Sequence, residues 1–281
     1  MMQVRAGAAE WGEIVGPLLA FGGAYSNLQA LQALESEAAR LGIPPANWVC
    51  TGDAVAYASH PAEVVGRLRA LGVRMIAGNV ERQLATGGGD CGCGFGDGSA
   101  CDLLSARWFA HADAAIDGET RAWLADLPDR AALIHAGRRW AAVHGGARQV
   151  NRFIWPTATE AEIAGELDAL TGDIGRVDGA LAGHCGMAFA RRIDGAADTR
   201  TWLNAGAIGM PPHDGDPRGE FAVIGADGAI CLHRLAYDHD AAARDMAAAG
   251  LPSAYADALR TGIWASQDIL PAALRLPRAA S

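Results

Sequence analysis

Four polar residues that can ligate a metal each sit beside a glycine, and each follows an apolar run. They occur as Gly52-Asp53, Gly78-Asn79, His144-Gly145 and Gly183-His184. Short apolar runs that stop at such residues are typical of buried strands, and ligands bind beyond the carboxyl ends of strands in open α/β sheets. Any one pair alone is explained as well by a turn or a cap. One carboxylate, one amide and two imidazoles at four strand ends predict a metal site with nitrogen and oxygen ligands.

The donor set restricts the metal without choosing it. Carboxylate, amide and imidazole groups suit Mn, Fe, Zn or Ni. We therefore expect a divalent or trivalent metal ion as cofactor, with one or two ions per chain.

The elements that must position these residues alternate between strand and helix. Apolar runs predict strands over 17–21, 48–50 and 73–77, and helical spacing with caps predicts helices over 28–41 and 61–71. This order, with short connections, predicts a mostly parallel sheet flanked by helices. Residues 1–16 carry little signal.

The second half of the chain changes from mixed to strand-rich. Helices are predicted over 101–114 and 119–127, and another to about 170 behind a capping box of Thr157 and Glu160. An alanine-rich helix is predicted over 238–262. Strands are predicted over 131–135, 140–143, 180–182, 201–203, 221–224 and 230–235.

Composition excludes several classes of protein. The 281 residues are 51% hydrophobic, which is enough for a substantial core. The net charge of −9, without a basic cluster, argues against a nucleic-acid-binding surface. Because no apolar run spans a bilayer and no signal peptide is seen, we expect a soluble cytoplasmic protein without membrane contact.

Three of the six cysteines crowd one glycine-rich segment. Cys91, Cys93 and Cys101 lie in or beside residues 86–99, whereas the other three lie in or beside apolar runs. In a cytoplasmic protein such clustering favours a metal or redox role. Cys-x-Cys with one more cysteine lacks a fourth ligand, however, so a surface loop with a disulfide or free thiols is an equal alternative.

The ordered motifs resemble the calcineurin-like metallophosphoesterases, and the small bacterial and archaeal phosphodiesterase branch in particular. Asn27-Leu28 with Ala30-Leu31 is similar to the start of that branch's first helix. The run from Asn204 to Gly209 is similar to its late loop. The resemblance extends from about Phe21 to Leu235.

The resemblance implies a fold and a reaction. The fold is an α/β, four-layer α-β-β-α sandwich, here a single domain over 1–281 with a Gly/Cys-rich loop at about 86–101 and a helical extension from about 238. Two metals at the sheet edge share an aspartate, and an activated water attacks phosphorus in line. The partner is then a small-molecule phosphate ester or nucleotide.

The ligand positions that depart from the family pattern all serve the same one of the two metals. Gly23 and Tyr25 stand in place of the first motif's aspartate and histidine, and Gly186 stands in place of the last histidine. Val80 stands where the proton donor is expected. By resemblance, Asp53, Asn79, His144 and His184 survive as one nearly complete metal site.

Several further residues are candidates near this site. Tyr25 is a possible phenolate ligand, although packing or hydrogen bonding to substrate is the commoner use of such a tyrosine. Cys185, like the clustered cysteines, is a possible additional metal or redox group. Asn27, Arg82 and His213 are candidates for substrate binding, because Arg82 has the geometry for a phosphate and the other two lie in the resembling segments.

Three hypotheses of function follow. The first is a metal-dependent phosphodiesterase or phosphatase that uses the retained site. The second is a catalytically silent relative that binds a ligand or partner there. The third is a site to which the cysteines lend altered chemistry. The oligomeric state is left open.

Overall fold

The computed structural model describes residues 2–5, 7–94, 100–195 and 199–277, apart from the side chains of 100–102. Within these residues the chain forms two β-sheets and eight α-helices. None of the described helices has the length and apolar character needed to cross a membrane.

The first sheet has five strands and carries the first predicted strand–helix units. Its parallel part consists of β2 (Leu18–Phe21), β3 (Trp48–Cys50) and β4 (Arg74–Met75), and β10 (Gly219–Ile224) and β11 (Ile230–Leu235) join antiparallel at one edge. The strand order is β11-β10-β2-β3-β4. All five strands are confirmed, and β4 is shorter than predicted.

The second sheet has six strands in the order β1-β5-β6-β7-β9-β8. Its members are β1 (Ala9–Ile14), β5 (Arg130–His135), β6 (Arg138–Val143), β7 (Gly179–Ala182), β8 (Ala188–Asp194) and β9 (Thr199–Ala205). Neither β1 nor β8 is predicted by the sequence. Both are edge strands with mostly exposed or half-buried residues, so their apolar patterns are weak.

The helices connect the strands, and the four predicted over 28–41, 61–71, 101–114 and 119–127 are found close to those bounds. Asn27 caps the first helix, because its side chain accepts a hydrogen bond from the backbone N–H of Ala30 at 3.0 Å. The helices are α1 (Leu28–Arg40), α2 (Pro61–Ala70), α3 (Asn79–Thr86), α4 (Ala100–Ala115), α5 (Gly118–Asp126), α6 (Glu160–Ile174), α7 (His239–Ala248) and α8 (Ser253–Thr261).

Alternating side chains divide the molecule into four layers. In β3, Trp48 and Cys50 face a core shared with α1, α2 and the C-terminal helices, whereas Val49 faces the core between the two sheets. In β6, Ala141 and Val143 face a core shared with α6, whereas Trp140 faces the inner core. The layers are therefore helix, sheet, sheet and helix, as expected for the four-layer α-β-β-α sandwich.

Three local predictions are wrong. The sheets are mixed rather than mostly parallel, because hairpins such as β5–β6 and β10–β11 add antiparallel strands. The capping box of α6 uses Thr159 and Glu162 rather than Thr157 and Glu160, since the chain enters the helix two residues later. The predicted C-terminal helix is two helices, because Gly250 and Pro252 interrupt the helical backbone between α7 and α8.

Candidate metal centre

The four predicted ligands meet at the carboxyl ends of strands in both sheets. Asp53 follows β3, and Asn79 is the first residue of α3 after β4. His144 follows β6, and His184 lies two residues beyond β7. Because β3 and β4 run parallel, as do β6 and β7, these ends lie at the same edge of each sheet. The stacking of the sheets brings the two edges together.

The ligand atoms converge around His144. Its Nε2 atom lies 3.0 Å from Asn79 Oδ1, 3.0 Å from His184 Nδ1 and 3.2 Å from Asp53 Oδ2. The Asp53, His144 and His184 ligand atoms all lie within 4.8 Å of one another, and all four side chains are mostly or fully buried. Adjacent ligands of a cation held at about 2.0–2.2 Å are separated by roughly 3 Å. The donor set therefore fits one cation.

The backbone selects the tautomer of His144 that a cation requires. His144 Nδ1 lies 2.7 Å from the carbonyl oxygen of Thr51, a hydrogen-bond acceptor that requires the proton to be on Nδ1. The lone pair on Nε2 is then directed toward Asp53, Asn79 and His184. A ring oriented in this way by a backbone carbonyl is the usual arrangement for a metal-binding histidine.

Burial and mutual charge set the protonation of Asp53, His144 and His184. Burial alone would raise the pKa of Asp53, but His144 lowers it below its ordinary value, so the carboxyl is ionised. Burial alone would lower the pKa of His144, but the Asp53 carboxylate raises it above its ordinary value. Burial and the neighbouring His144 lower the pKa of His184 to about 3, so this ring is neutral.

The site is built on a strained backbone. Asp53 and His184 have positive φ angles of 56° and 63°, which are uncommon for residues with a side chain. Gly52 has a φ of 96°, and a Cβ atom there would lie 2.6 Å from the backbone nitrogen of Gly78 and 2.9 Å from His144 Nδ1. Only glycine lets the chain pass this close to the histidine.

A carboxylate that the sequence did not assign braces this turn. Glu81 is completely buried and accepts hydrogen bonds from the backbone N–H groups of Asp53 at 2.8 Å, Gly78 at 2.8 Å and Val55 at 3.3 Å. Burial and the nearby Asp53 raise its pKa to about 7. Its spacing from Gly78, three residues at the start of a helix, is a capping-box signal that could have identified it.

The structure places two of the clustered cysteines against Asn79. Cys91 and Cys93 are joined by a disulfide, and both are buried. The amide nitrogen of Asn79 donates to the carbonyl oxygen of Cys91 at 2.8 Å and lies 3.4 Å from Cys93 Sγ. This contact leaves Asn79 Oδ1 directed toward His144, so the cysteine segment orients one candidate ligand.

Of the other two candidate cysteines, Cys101 and Cys185, only Cys185 has a described side chain. The side chain of Cys101, at the start of α4, lies outside the described residues. The thiol of Cys185 is buried and lies 3.2 Å from the amide nitrogen of Asn204. Burial raises its pKa to about 12, so the group stays a thiol rather than a thiolate in the cation-free protein.

Tyr25 lies on the wall of a cavity that opens onto the cluster. Asp53 and His184 line the same cavity. Burial and the Asp53 carboxylate raise the pKa of the Tyr25 phenol well above its ordinary value, which opposes a phenolate ligand in the cation-free protein. The remaining lining is mostly aromatic or aliphatic: Tyr57, Cys93, Leu104, Phe153, Cys185, Gly186, Met210, Pro211, Tyr255, Trp264, Ala265, Ser266 and Ile269.

The three predicted substrate-binding residues make contacts within the protein. Asn27 caps α1 and donates to the carbonyl oxygen of Gly209 at 3.0 Å. Arg82 is paired with Asp129, away from the cluster of ligands. His213 is buried, and its Nδ1 accepts a hydrogen bond from the backbone N–H of Trp264 at 2.8 Å. A role for any of them in binding substrate stays a prediction.

The chain is similar to known proteins in structure. No protein-family model and no curated protein matches the sequence. A metallophosphoesterase from Sphaerobacter thermophilus is similar with a TM-score of 0.68 and 23% identity, over 89% of this chain and 100% of that one. A hypothetical protein from Pyrococcus horikoshii has a TM-score of 0.69 and 16% identity, over 88% and 99% of the two chains.

A third solved structure extends the same comparison. A putative diadenosine tetraphosphatase has a TM-score of 0.50 and 15% identity, over 83% of this chain and 99% of that one. These likenesses, together with the two sheets between helical layers, confirm the resemblance at the level of fold. This chain has the fold of the calcineurin-like metallophosphoesterase superfamily.

Proposed function

We propose that the protein is a metal-dependent hydrolase of phosphate esters that uses one cation at Asp53, Asn79, His144 and His184. The observation that carries the proposal is the convergence of three ligand atoms around the fourth, His144 Nε2, at 3.0–3.2 Å. When bound, such a cation polarises a phosphoryl oxygen and lowers the pKa of a water molecule. The fold shared with a metallophosphoesterase supports the same reaction class.

The chain's own residues supply charge and orientation. Asp53 contributes the negative charge that holds a cation in a buried site. His184 contributes a neutral imidazole, and the Thr51 carbonyl keeps the His144 ring turned so that Nε2 faces inward. The disulfide segment fixes Asn79 through the Cys91 carbonyl. These contacts organise the centre before substrate arrives, which reduces the cost of reaching the reactive geometry.

The cavity favours a substrate with little negative charge. No arginine or lysine is among the described residues that line it, and Asp53 is the one carboxylate there. A chain of phosphates would lack countercharges in such a lining. The aromatic wall instead favours a small phosphodiester with an apolar or aromatic substituent, which is the phosphodiesterase form of the proposal.

The proposal is tested by hydrolysis of bis(4-nitrophenyl) phosphate after the chelated protein is reloaded with Mn, Fe, Zn or Ni. We expect turnover with at least one of these metals and loss of at least about a hundredfold of it in His184→Ala. His233→Ala is the matched control, because His233 stacks on Phe221 and is not part of the cluster. Equal turnover in wild type and His184→Ala would refute the proposal.

The second candidate function is metal-dependent binding without catalysis. Glycines at positions 23 and 186 favour it, because they offer no side chain to a second cation. A wild-type protein that binds the cation but turns over neither phosphomonoesters, diesters nor dinucleotides would establish this alternative.

A further inference from the structure

The Tyr25 phenol forms part of the cavity wall. Tyr25 has a positive φ of 52°, and its backbone N–H donates to the carbonyl oxygen of Asp53 at 3.2 Å. Its ring packs against Tyr57 with centroids 4.9 Å apart. The side chain is therefore held on the turn that carries Asp53, and it lines the cavity together with Asp53 and His184.

Gly23 creates the space that this phenol fills, and Gly186 lies beside it. A Cβ atom on Gly23 would lie 2.8 Å from the Tyr25 hydroxyl oxygen, so no larger residue fits at position 23 while the ring stays in place. A Cβ atom on Gly186 would lie 3.9 Å from the same oxygen and 3.5 Å from Cζ2 of Trp264. The Tyr25 hydroxyl and the Trp264 indole thus occupy the space in front of both glycines.

The described residues offer ligands for one cation only. Asp53, His144 and His184 form the single group of three His, Cys, Asp or Glu ligand atoms found among them. Among the described residues, no arginine or lysine lines the cavity. An anion held by the cation would therefore meet hydroxyl groups in the cavity, not a second positive charge.

The Tyr25 hydroxyl is suited to that contact. It belongs to a residue that is only 6% exposed and that lines the cavity beside Asp53 and His184. A phenol of ordinary pKa, about 10, carries its proton at neutral pH, so the group is a donor. A neutral donor in a site shielded from water stabilises an oxyanion without a cation's desolvation cost.

We infer that the centre holds one cation and that the Tyr25 hydroxyl takes the place of a second, donating a hydrogen bond to an oxygen of the phosphoryl group. The inference rests on the proposed function for its ligand, a phosphoryl anion, but not on turnover. Tyr25 is then a catalytic residue that contacts the substrate and lies opposite the cation.

Two measurements on the full chain test the inference. The first counts cations per chain in Mn-loaded protein by plasma mass spectrometry, and the second titrates inorganic phosphate into the same sample by calorimetry. Tyr25→Phe removes the hydroxyl and keeps the ring. Tyr237→Phe is the matched control, because the Tyr237 hydroxyl is buried and does not line the cavity.

We expect about one cation per chain in all three proteins. A net hydrogen-bond contribution of about 0.5–1.5 kcal/mol predicts a phosphate Kd about 2- to 12-fold higher in Tyr25→Phe. Tyr237→Phe should match the wild type. Thermal unfolding checks that each variant folds, and the wild-type cation count is decisive without any variant.

Two cations per wild-type chain, absence of phosphate binding, or an unchanged phosphate Kd in Tyr25→Phe would overturn the inference. Tyr25-dependent phosphate binding without hydrolysis of any ester would support it while refuting the proposed hydrolase. Hydrolysis of an ester together with equal phosphate Kd values in wild type and Tyr25→Phe would refute the inference while supporting the proposed hydrolase. The two failures are thus distinguishable.

Discussion

The proton on His144 is the direct competitor of a cation at this centre. The nitrogen that faces Asp53, Asn79 and His184 must lose its proton before it can ligate a metal. Asp53 raises the pKa of His144 above its ordinary value of 6.5 and so strengthens the competition. His184, with a pKa of about 3, offers no proton to displace.

We therefore predict that cation affinity rises with pH above 6.5. The sign follows because raising the pH through the elevated pKa of His144 removes the proton that the metal would otherwise have to displace. Titration of the cation-free protein with Mn²⁺ between pH 6 and 9 checks this, with Kd falling up to about tenfold per pH unit while one proton is displaced. An affinity that is flat over this range would contradict the assignment of His144 as a ligand.

A side chain at position 52 should destabilise the turn that carries Asp53. Gly52→Ala places a Cβ at a φ of 96° and against both Gly78 and His144, so we expect a loss of stability of about 2 kcal/mol or more and weaker cation binding. Gly66→Ala, in α2, meets nothing within 4 Å and is the matched control. It should be neutral or stabilise by about 0.5–1 kcal/mol. Chemical denaturation of both variants measures the difference; equal stabilities would show that the turn tolerates a side chain.

The start of α3 connects the two turns that carry Asp53 and Asn79. Sequence spacing predicted the strands and helices around it well, because apolar periodicity and caps are local signals. The role of Glu81 was not predicted, because its burial depends on how α3 packs against the turn that follows β3. The cysteine segment is similar: its disulfide and its contact with Asn79 depend on the path of a glycine-rich loop, which periodicity does not specify.

Removing the Glu81 carboxylate should loosen both turns at once. Glu81→Ala leaves three backbone N–H groups without their acceptor, and each buried unpaired donor costs about 1–3 kcal/mol. We expect a loss of about 3 kcal/mol or more in the free energy of unfolding. Glu63→Ala, whose side chain is 57% exposed on α2, should change it by no more than about 0.5 kcal/mol. A small effect in Glu81→Ala would show that water replaces the carboxylate.

Across the whole molecule, two stacked sheets bring ligands from distant parts of the chain to one edge. The order of the four motifs was enough to predict their convergence, because strand ends in such a fold share an edge. That side chains fill the space in front of Gly23 and Gly186 was not predictable from motifs. It depends on Trp264, which lies beyond the resembling segment and binds the Pro211 carbonyl oxygen through its indole N–H at 2.6 Å. That 1–281 forms one domain stays a prediction.

The most direct test is the cation content per chain, element by element, of protein purified without chelator. We predict about one cation in the wild type, none in His184→Ala, and about one in the triple variant Cys91→Ser, Cys93→Ser, Cys101→Ser. This result would place the cation at the four-ligand centre and leave the cysteines a supporting role. Two cations in the wild type and one in the cysteine variant, or an unchanged content in His184→Ala, would contradict the single-cation centre.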